Sequence, residues 1–187
     1  IFNELKPGVS HVINILLYIL SCVFIFRLFQ LLMPDKKPLM GWLDIGFAAA
    51  LLFLVHPIHV EAVANIKGRD EVMAMLFSLL SLYLFVLHYL YGKSKKYLYA
   101  ALISYFLGLL SKENTITFAA VVPLTLWVFG KDHRSKAWNS LAWLILVSFI
   151  YLMIRFPISG VPQLNQKITD IMNNPFLEMS GGEKLAT

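Results

Sequence analysis

Charge is what this chain has least of. Only 14% of its 187 residues are Asp, Glu, Lys or Arg, against about 25% in an average soluble domain. Cysteine is rarer still. The lone Cys22, inside an apolar run, excludes a disulfide scaffold and says nothing about redox compartment. No tandem repeat or low-complexity tract interrupts the sequence. Apolar surface takes the place of charge: 58% of residues are hydrophobic and the mean hydropathy is +0.69. A soluble domain of this size must turn a large share of its residues to water and could not hide so much apolar surface. An ordinary soluble enzyme, a coiled coil and an intrinsically disordered chain are all excluded. Long apolar runs alternate with short polar punctuations, the pattern of an all-α polytopic membrane protein. The formal net charge of +5 is therefore read first as a topology signal, with the lipid bilayer and no nucleic acid as partner.

The sequence starts at Ile1 rather than Met and shows no charged-then-apolar leader before its first apolar run. It reads as part of a larger protein. About 20 apolar residues cross a bilayer core. Segments 11–33, 42–55, 71–91, 97–110, 115–129 and 137–156 approach that length, which predicts a bundle of about six transmembrane helices over residues 1–156. Residues 157–187 carry Pro157, Gly160, Pro162, Pro175 and the Gly181-Gly182 pair, and read as an extracytoplasmic loop that continues beyond the chain. Basic residues mark alternate loops: Lys36 and Lys37, then Lys93, Lys95 and Lys96, then Lys131, Arg134 and Lys136. Trp42, Trp127, Trp138, Tyr91 and Tyr97 stand beside them. The positive-inside rule and the aromatic belt make that face cytoplasmic. The stretches 56–70, 111–114 and the tail then face the other way, outside a bacterial inner membrane or inside the endoplasmic reticulum of a eukaryote.

On that outer face the densest stretch is His56-Pro57-Ile58-His59-Val60-Glu61, followed by Asn65-Ile66-Lys67-Gly68-Arg69-Asp70-Glu71. Pro57 has no N–H, so a kink or a restarted helix is expected there. A short interfacial helix over 58–66 would carry Glu61 and Asn65 on one face and Ile58, Ala62 and Ile66 on another. Gly68 permits a sharp turn, and Asp70 is expected to cap the next span. His56 and His59 offer two zinc ligands without a clear third, and the His-Glu-x-x-His string of a metalloprotease is absent. No metal site is expected. One reading of Arg69 and Asp70 is structural, an interfacial ion pair plus a helix cap.

The second feature is Ser111-Lys112-Glu113-Asn114, between two apolar segments of about 14 and 15 residues, each rising roughly 21–22 Å. A core of about 30 Å then leaves Lys112 and Glu113 below the outer surface. Charges at that depth pair, or line a polar cavity. A tight turn with a snorkelling Lys112 covers the lysine but gives the glutamate no reason to be there. Together the loops outline an outward-facing cavity with cations at Lys67, Arg69 and Lys112 and carboxylates at Glu61, Asp70 and Glu113. Cations suit a phosphate, and carboxylates suit a hydroxyl nucleophile.

The stretch from His56 to Glu71 resembles the second outer loop of the transmembrane and tetratricopeptide-repeat (TMTC-like) O-mannosyltransferases and their bacterial relatives. Leu110-Ser111-Lys112-Glu113-Asn114-Thr115 is similar to that family's Ser-Lys-Glu segment, with weaker agreement at 11–17 and 174–176. Such proteins resemble the wider C-type (GT-C) glycosyltransferases. The resemblance implies a partial GT-C helical bundle that transfers a sugar, mannose in eukaryotic members, from a polyprenyl-phosphate carrier to a hydroxyl of a protein acceptor. Arg69 and Lys112 would hold the carrier phosphate. Asp70 and Glu113 would orient those cations or the acceptor, and Glu61, His56 and His59 would line the pocket. The family's catalytic base belongs to a loop upstream of Ile1, and its repeats lie beyond Thr187, so the fragment is expected to be inactive alone. No cofactor is implied beyond the lipid-linked sugar donor, and a divalent metal is left open. The competing reading is a transporter subunit or membrane scaffold whose outer ion pairs are structural; no internal two-fold symmetry of broken helices supports a transporter.

Overall fold

The computed structural model describes residues 7–34, 44–65, 68–130 and 133–159. Among these the chain is helical, with no strand. The order is α1 (Pro7–Leu32), α2 (Ile45–Val55), α3 (His59–Ala64), α4 (Arg69–Tyr89), α5 (Lys95–Ser111), α6 (Phe118–Phe129) and α7 (His133–Ser159), with a 3-10 turn, Glu113–Thr117, leading into α6. Among the described residues three helices are long and apolar enough to cross a membrane: Gly8–Leu32, Arg69–Tyr89 and Ser135–Pro157. The 11 residues of α2 rise only about 17 Å, and the 12 of α6 only about 18 Å. Of the six expected spans, three therefore meet the length on their own.

Local chemistry accounts for the helix boundaries. Asp44 adopts an extended conformation (φ −92°, ψ 166°) and its Oδ1 accepts the Phe47 N–H at 2.6 Å. This N-cap starts α2 at Ile45, three residues later than the apolar run suggests. At the other end Pro57 disfavours helical backbone in the residue before it. His56 is extended (φ −68°, ψ 124°), α2 stops at Val55, and the chain restarts as α3, as expected of the proline. Asp70 does not cap α4. The helix already begins at Arg69, its N-cap is Gly68, and no side chain bonds there. Asp70 and Glu71 instead occupy the first turn, where the positive end of the helix dipole favours carboxylates. Gly68 is needed for space rather than for a turn: its φ is −76°, and a Cβ would lie 2.2 Å from the Ala62 carbonyl oxygen.

The first compact unit is Ile1–Met153, and α4 is its central helix. Half of the α4 span is buried, against 22% of the α1 span. On α5 the buried residues Leu98, Ala101, Tyr105 and Leu109 recur at helical spacing and meet Phe85 and Val86 of α4, both fully buried. Two hydroxyls in this apolar interior bond across helices, which spares them the cost of an unpaired polar group away from water. Ser81 Oγ donates to the Ala101 carbonyl at 2.9 Å, and the Tyr105 hydroxyl and Ser148 Oγ share a 2.9 Å hydrogen bond. Gly108 lets the 3-10 turn lie against α5, because a Cβ there would come within 2.8 Å of Thr115 Cγ2.

The second unit is Ile154–Thr187, of which the end of α7 is described. That helix runs to Ser159 with Pro157 inside it, past the boundary expected at 156, because a proline near a helix end removes only one backbone hydrogen bond. The rest of the expected extracytoplasmic loop, residues 160–187, lies outside the described residues. So do Lys36, Lys37, Trp42, Ile66, Lys67 and Lys131, on which several topology and charge expectations fell.

Candidate functional site

One face of α1 is unusually polar for an apolar span. Ser10, Asn14 and Ser21 are buried on one face of it, and Tyr18 shares that side at i, i+4 from Asn14. The Tyr18 hydroxyl donates to the carbonyls of Phe53 (2.7 Å) and Leu54 (3.2 Å). These belong to the last turn of α2, whose carbonyls have no partner within the helix. The Tyr18 and Phe53 rings stack at 5.5 Å, and His59 packs on Phe53 at 4.2 Å and on His56 at 5.7 Å. His56 Nδ1 accepts the Ile58 N–H at 3.3 Å, so this histidine serves the turn at Pro57. Burial first, and then the neighbouring His56, push the His59 imidazolium below its ordinary pKa of 6.5.

Across the cavity, Lys112 forms an ion pair with Glu71. Its backbone N–H closes α5 on the Gly108 carbonyl at 2.9 Å. The hydrogen bond it donates to Glu71 holds the ammonium above its ordinary pKa of 10.5; partial burial opposes this, and the charges of Glu71, Asp70 and Glu113 reinforce it. Asp70 and Glu113 are thus within electrostatic reach of Lys112, whose direct partner is a carboxylate, Glu71, that the sequence reading did not place in the site. Arg69 goes elsewhere. Its Nε donates to Asn14 Oδ1 at 3.3 Å, and among the described residues no carboxylate pairs with it, Asp70 included.

Three adjoining cavities are cut into this end of the unit. The first, about 340 Å³, is walled by Tyr18, Phe53, Val72, Met75 and Phe118 and bordered by Lys112 and Glu71. The second, about 320 Å³, has His11 and His56 on its wall and shares Tyr18, His59 and Val63 with the first. The third, about 330 Å³, is the polar one, formed by Glu61, Asn65, Gly68 and Asp70, with Glu71 common to it and the first. Glu61 and Asn65 therefore do meet, though Asn65 caps α3 with its N–H on the Glu61 carbonyl (2.9 Å) rather than lying within the helix. Among the described residues no group of three or more His, Cys, Asp or Glu side chains could hold a metal ion. An apolar chamber with an ion pair at its border can take an amphiphile, the anionic end at Lys112 and the apolar end among the aromatic rings.

Known proteins are similar to this sequence. Protein O-mannosyl-transferase F38B6.6 of Caenorhabditis elegans is 29% identical over 173 residues, 90% of this chain. The chain is a homologue of the TMTC protein O-mannosyl-transferases. TMTC2 of Mus musculus is 36% identical over 141 residues, 71% of the chain, and TMTC1 of Homo sapiens is 39% identical over 77 residues, 41% of it. The chain spans 23%, 15% and 8% of these three relatives respectively. No protein-family model matches it, and no solved structure matches it significantly.

Proposed function

We propose that this chain is the donor-binding part of a membrane glycosyltransferase. It would transfer a sugar, mannose by analogy with the relatives, from a polyprenyl-phosphate carrier to a hydroxyl of a protein acceptor on the extracytoplasmic side. The observation that carries the reading is the apolar cavity bordered by Lys112 and Glu71, in a homologue of O-mannosyl-transferases. A prenyl chain suits walls of Tyr18, Phe53, Met75 and Phe118, and its phosphate suits Lys112 and Arg69. Glu71, Asp70 and Glu113 would keep Lys112 charged and aimed; Glu61, His56 and His59 would border the neighbouring space. In this reading α1, α2, α4, α5, α6 with its 3-10 turn, and α7 make up the six membrane-embedded segments of a partial GT-C bundle. Lys93 just before α5, Lys95 and Lys96 at its start, and Lys136 in the first turn of α7 would be cytoplasmic.

The test is Lys112→Ala in the full-length protein, assayed with a polyprenyl-phosphate mannose donor. Losing one charge-assisted contact is worth about 1.5–3 kcal/mol, so turnover should fall about ten- to a hundredfold with the melting temperature little changed. One observation favours a second reading, a structural outer ion pair in a non-catalytic module: Lys112 is already paired with Glu71. That reading predicts the opposite result, a lowered melting temperature with turnover intact.

A further inference from the structure

Asn14 lies within the first candidate span and is 0% exposed. An amide in that setting is costly unless its donors and acceptor are all engaged. Here they are, and every partner is about 50 residues away in sequence. Nδ2 donates to the carbonyls of Asn65 (3.1 Å) and Val63 (3.4 Å), at the end of α3, where helix carbonyls lack internal partners. Oδ1 accepts from Arg69 Nε (3.3 Å). The amide can face only one way, since two carbonyls require its NH2 and a guanidinium N–H requires its oxygen.

This leaves Arg69 with a defined presentation. Nε is engaged, so the side-on edge of the fork, Nε with one Nη, is unavailable for a bidentate contact. Among the described residues nothing bonds the end-on edge, Nη1 with Nη2. We propose that Asn14 is a positioning residue for Arg69: it anchors the guanidinium through Nε and presents the Nη1/Nη2 edge to the phosphate of the lipid carrier. The proposal rests on the reading of Arg69 as a phosphate-binding residue. It also explains why arginine stands at position 69, since lysine has neither an Nε–H for Asn14 to hold nor a second edge to present.

A double-mutant cycle tests it in the full-length protein, with polyprenyl-phosphate mannose as donor. Asn14→Leu, Arg69→Ala and the double variant are compared by KM for donor, KM for acceptor and melting temperature. Asn14→Ser joins them in case Asn14→Leu does not fold, because a serine hydroxyl can bond the carbonyl one turn back while losing its reach to Arg69. Expected are a three- to tenfold rise in donor KM for either Asn14 variant, an unchanged acceptor KM, and a double variant no worse than Arg69→Ala. A purely structural role would instead lower stability, move both KM values and add to the Arg69→Ala effect; that outcome overturns the proposal while leaving Arg69 a phosphate ligand. A wild-type donor KM for Arg69→Ala itself removes the reading of Arg69, and the positioning role with it.

Discussion

The two ends of α4 are held by different means. Around Phe85 and Val86 the helix is gripped by apolar side chains of α5 and its neighbours, and nothing there is exposed. Around Arg69 and Glu71 it is held by individual polar bonds from Asn14 of α1 and from Lys112 beyond α5. Lipid is as apolar as leucine, so packing in the first region sets how tightly helices fit rather than which atoms meet. Directional bonds in the second region fix named atoms at named places, at a smaller energy per contact. The core should therefore fail globally when cut, and the outer end locally.

The largest effect follows from cutting the core. Phe85→Ala removes a fully buried ring and should cost about 3–5 kcal/mol, lowering the melting temperature of the detergent-solubilised protein in one cooperative step. A loss confined to α4 would break the contrast between the two ends. Tyr18→Phe keeps the ring stack and removes the hydroxyl that ties α1 to the end of α2. It should cost about 0.5–1.5 kcal/mol, visible as faster hydrogen exchange at the end of α2 with α4 and α5 unchanged. Uniformly faster exchange across the bundle would show that this end is built like the core.

The smallest effect is a pH dependence. The folded site favours neutral His59, so below its ordinary pKa of 6.5 the unfolded chain takes up more protons than the folded one. His59 therefore contributes its full stability above pH 6.5, and that contribution is lost as pH falls through the lower folded-state value. Melting temperatures measured across this window should decline more steeply for the wild type than for His59→Phe, which keeps the aromatic contact. Identical slopes would assign the titration to other groups.

Much of the helical order was legible because apolar runs and a proline state their consequences locally. Pro57 split α2 from α3 as its backbone chemistry requires. Distant partners decided what was not legible. Asp70 and Glu71 are adjacent in sequence, and only the approach of the 3-10 turn selects Glu71 as the partner of Lys112. Asn14 showed one available signal, an amide inside an apolar run, but its partners at Val63, Asn65 and Arg69 follow from how α1 lies beside α3. Gly68 reads as a turn residue from its neighbours, whereas the space it vacates belongs to Ala62. Charge on the outer face singled out Lys112, Arg69, Asp70, Glu113 and Glu61, and the family resemblance added His56 and His59; the aromatic wall of Tyr18 and Phe53 that encloses part of that set was not legible, since rings in apolar segments look alike in sequence.

The continuity of α4 has a mechanical consequence. Phe85 and Arg69 are on one uninterrupted helix, about 24 Å apart along its axis at 1.5 Å per residue. That helix is a lever. A tilt of about one degree at the Phe85 end swings the other by about 0.4 Å, close to the half-ångström or so within which a productive site must be held. Substitutions among Phe85, Val86 and Tyr105 that the bundle survives would thus reach Arg69 and Glu71 as small misalignments, and the fit of the core would set the angular tolerance of a site about four turns away.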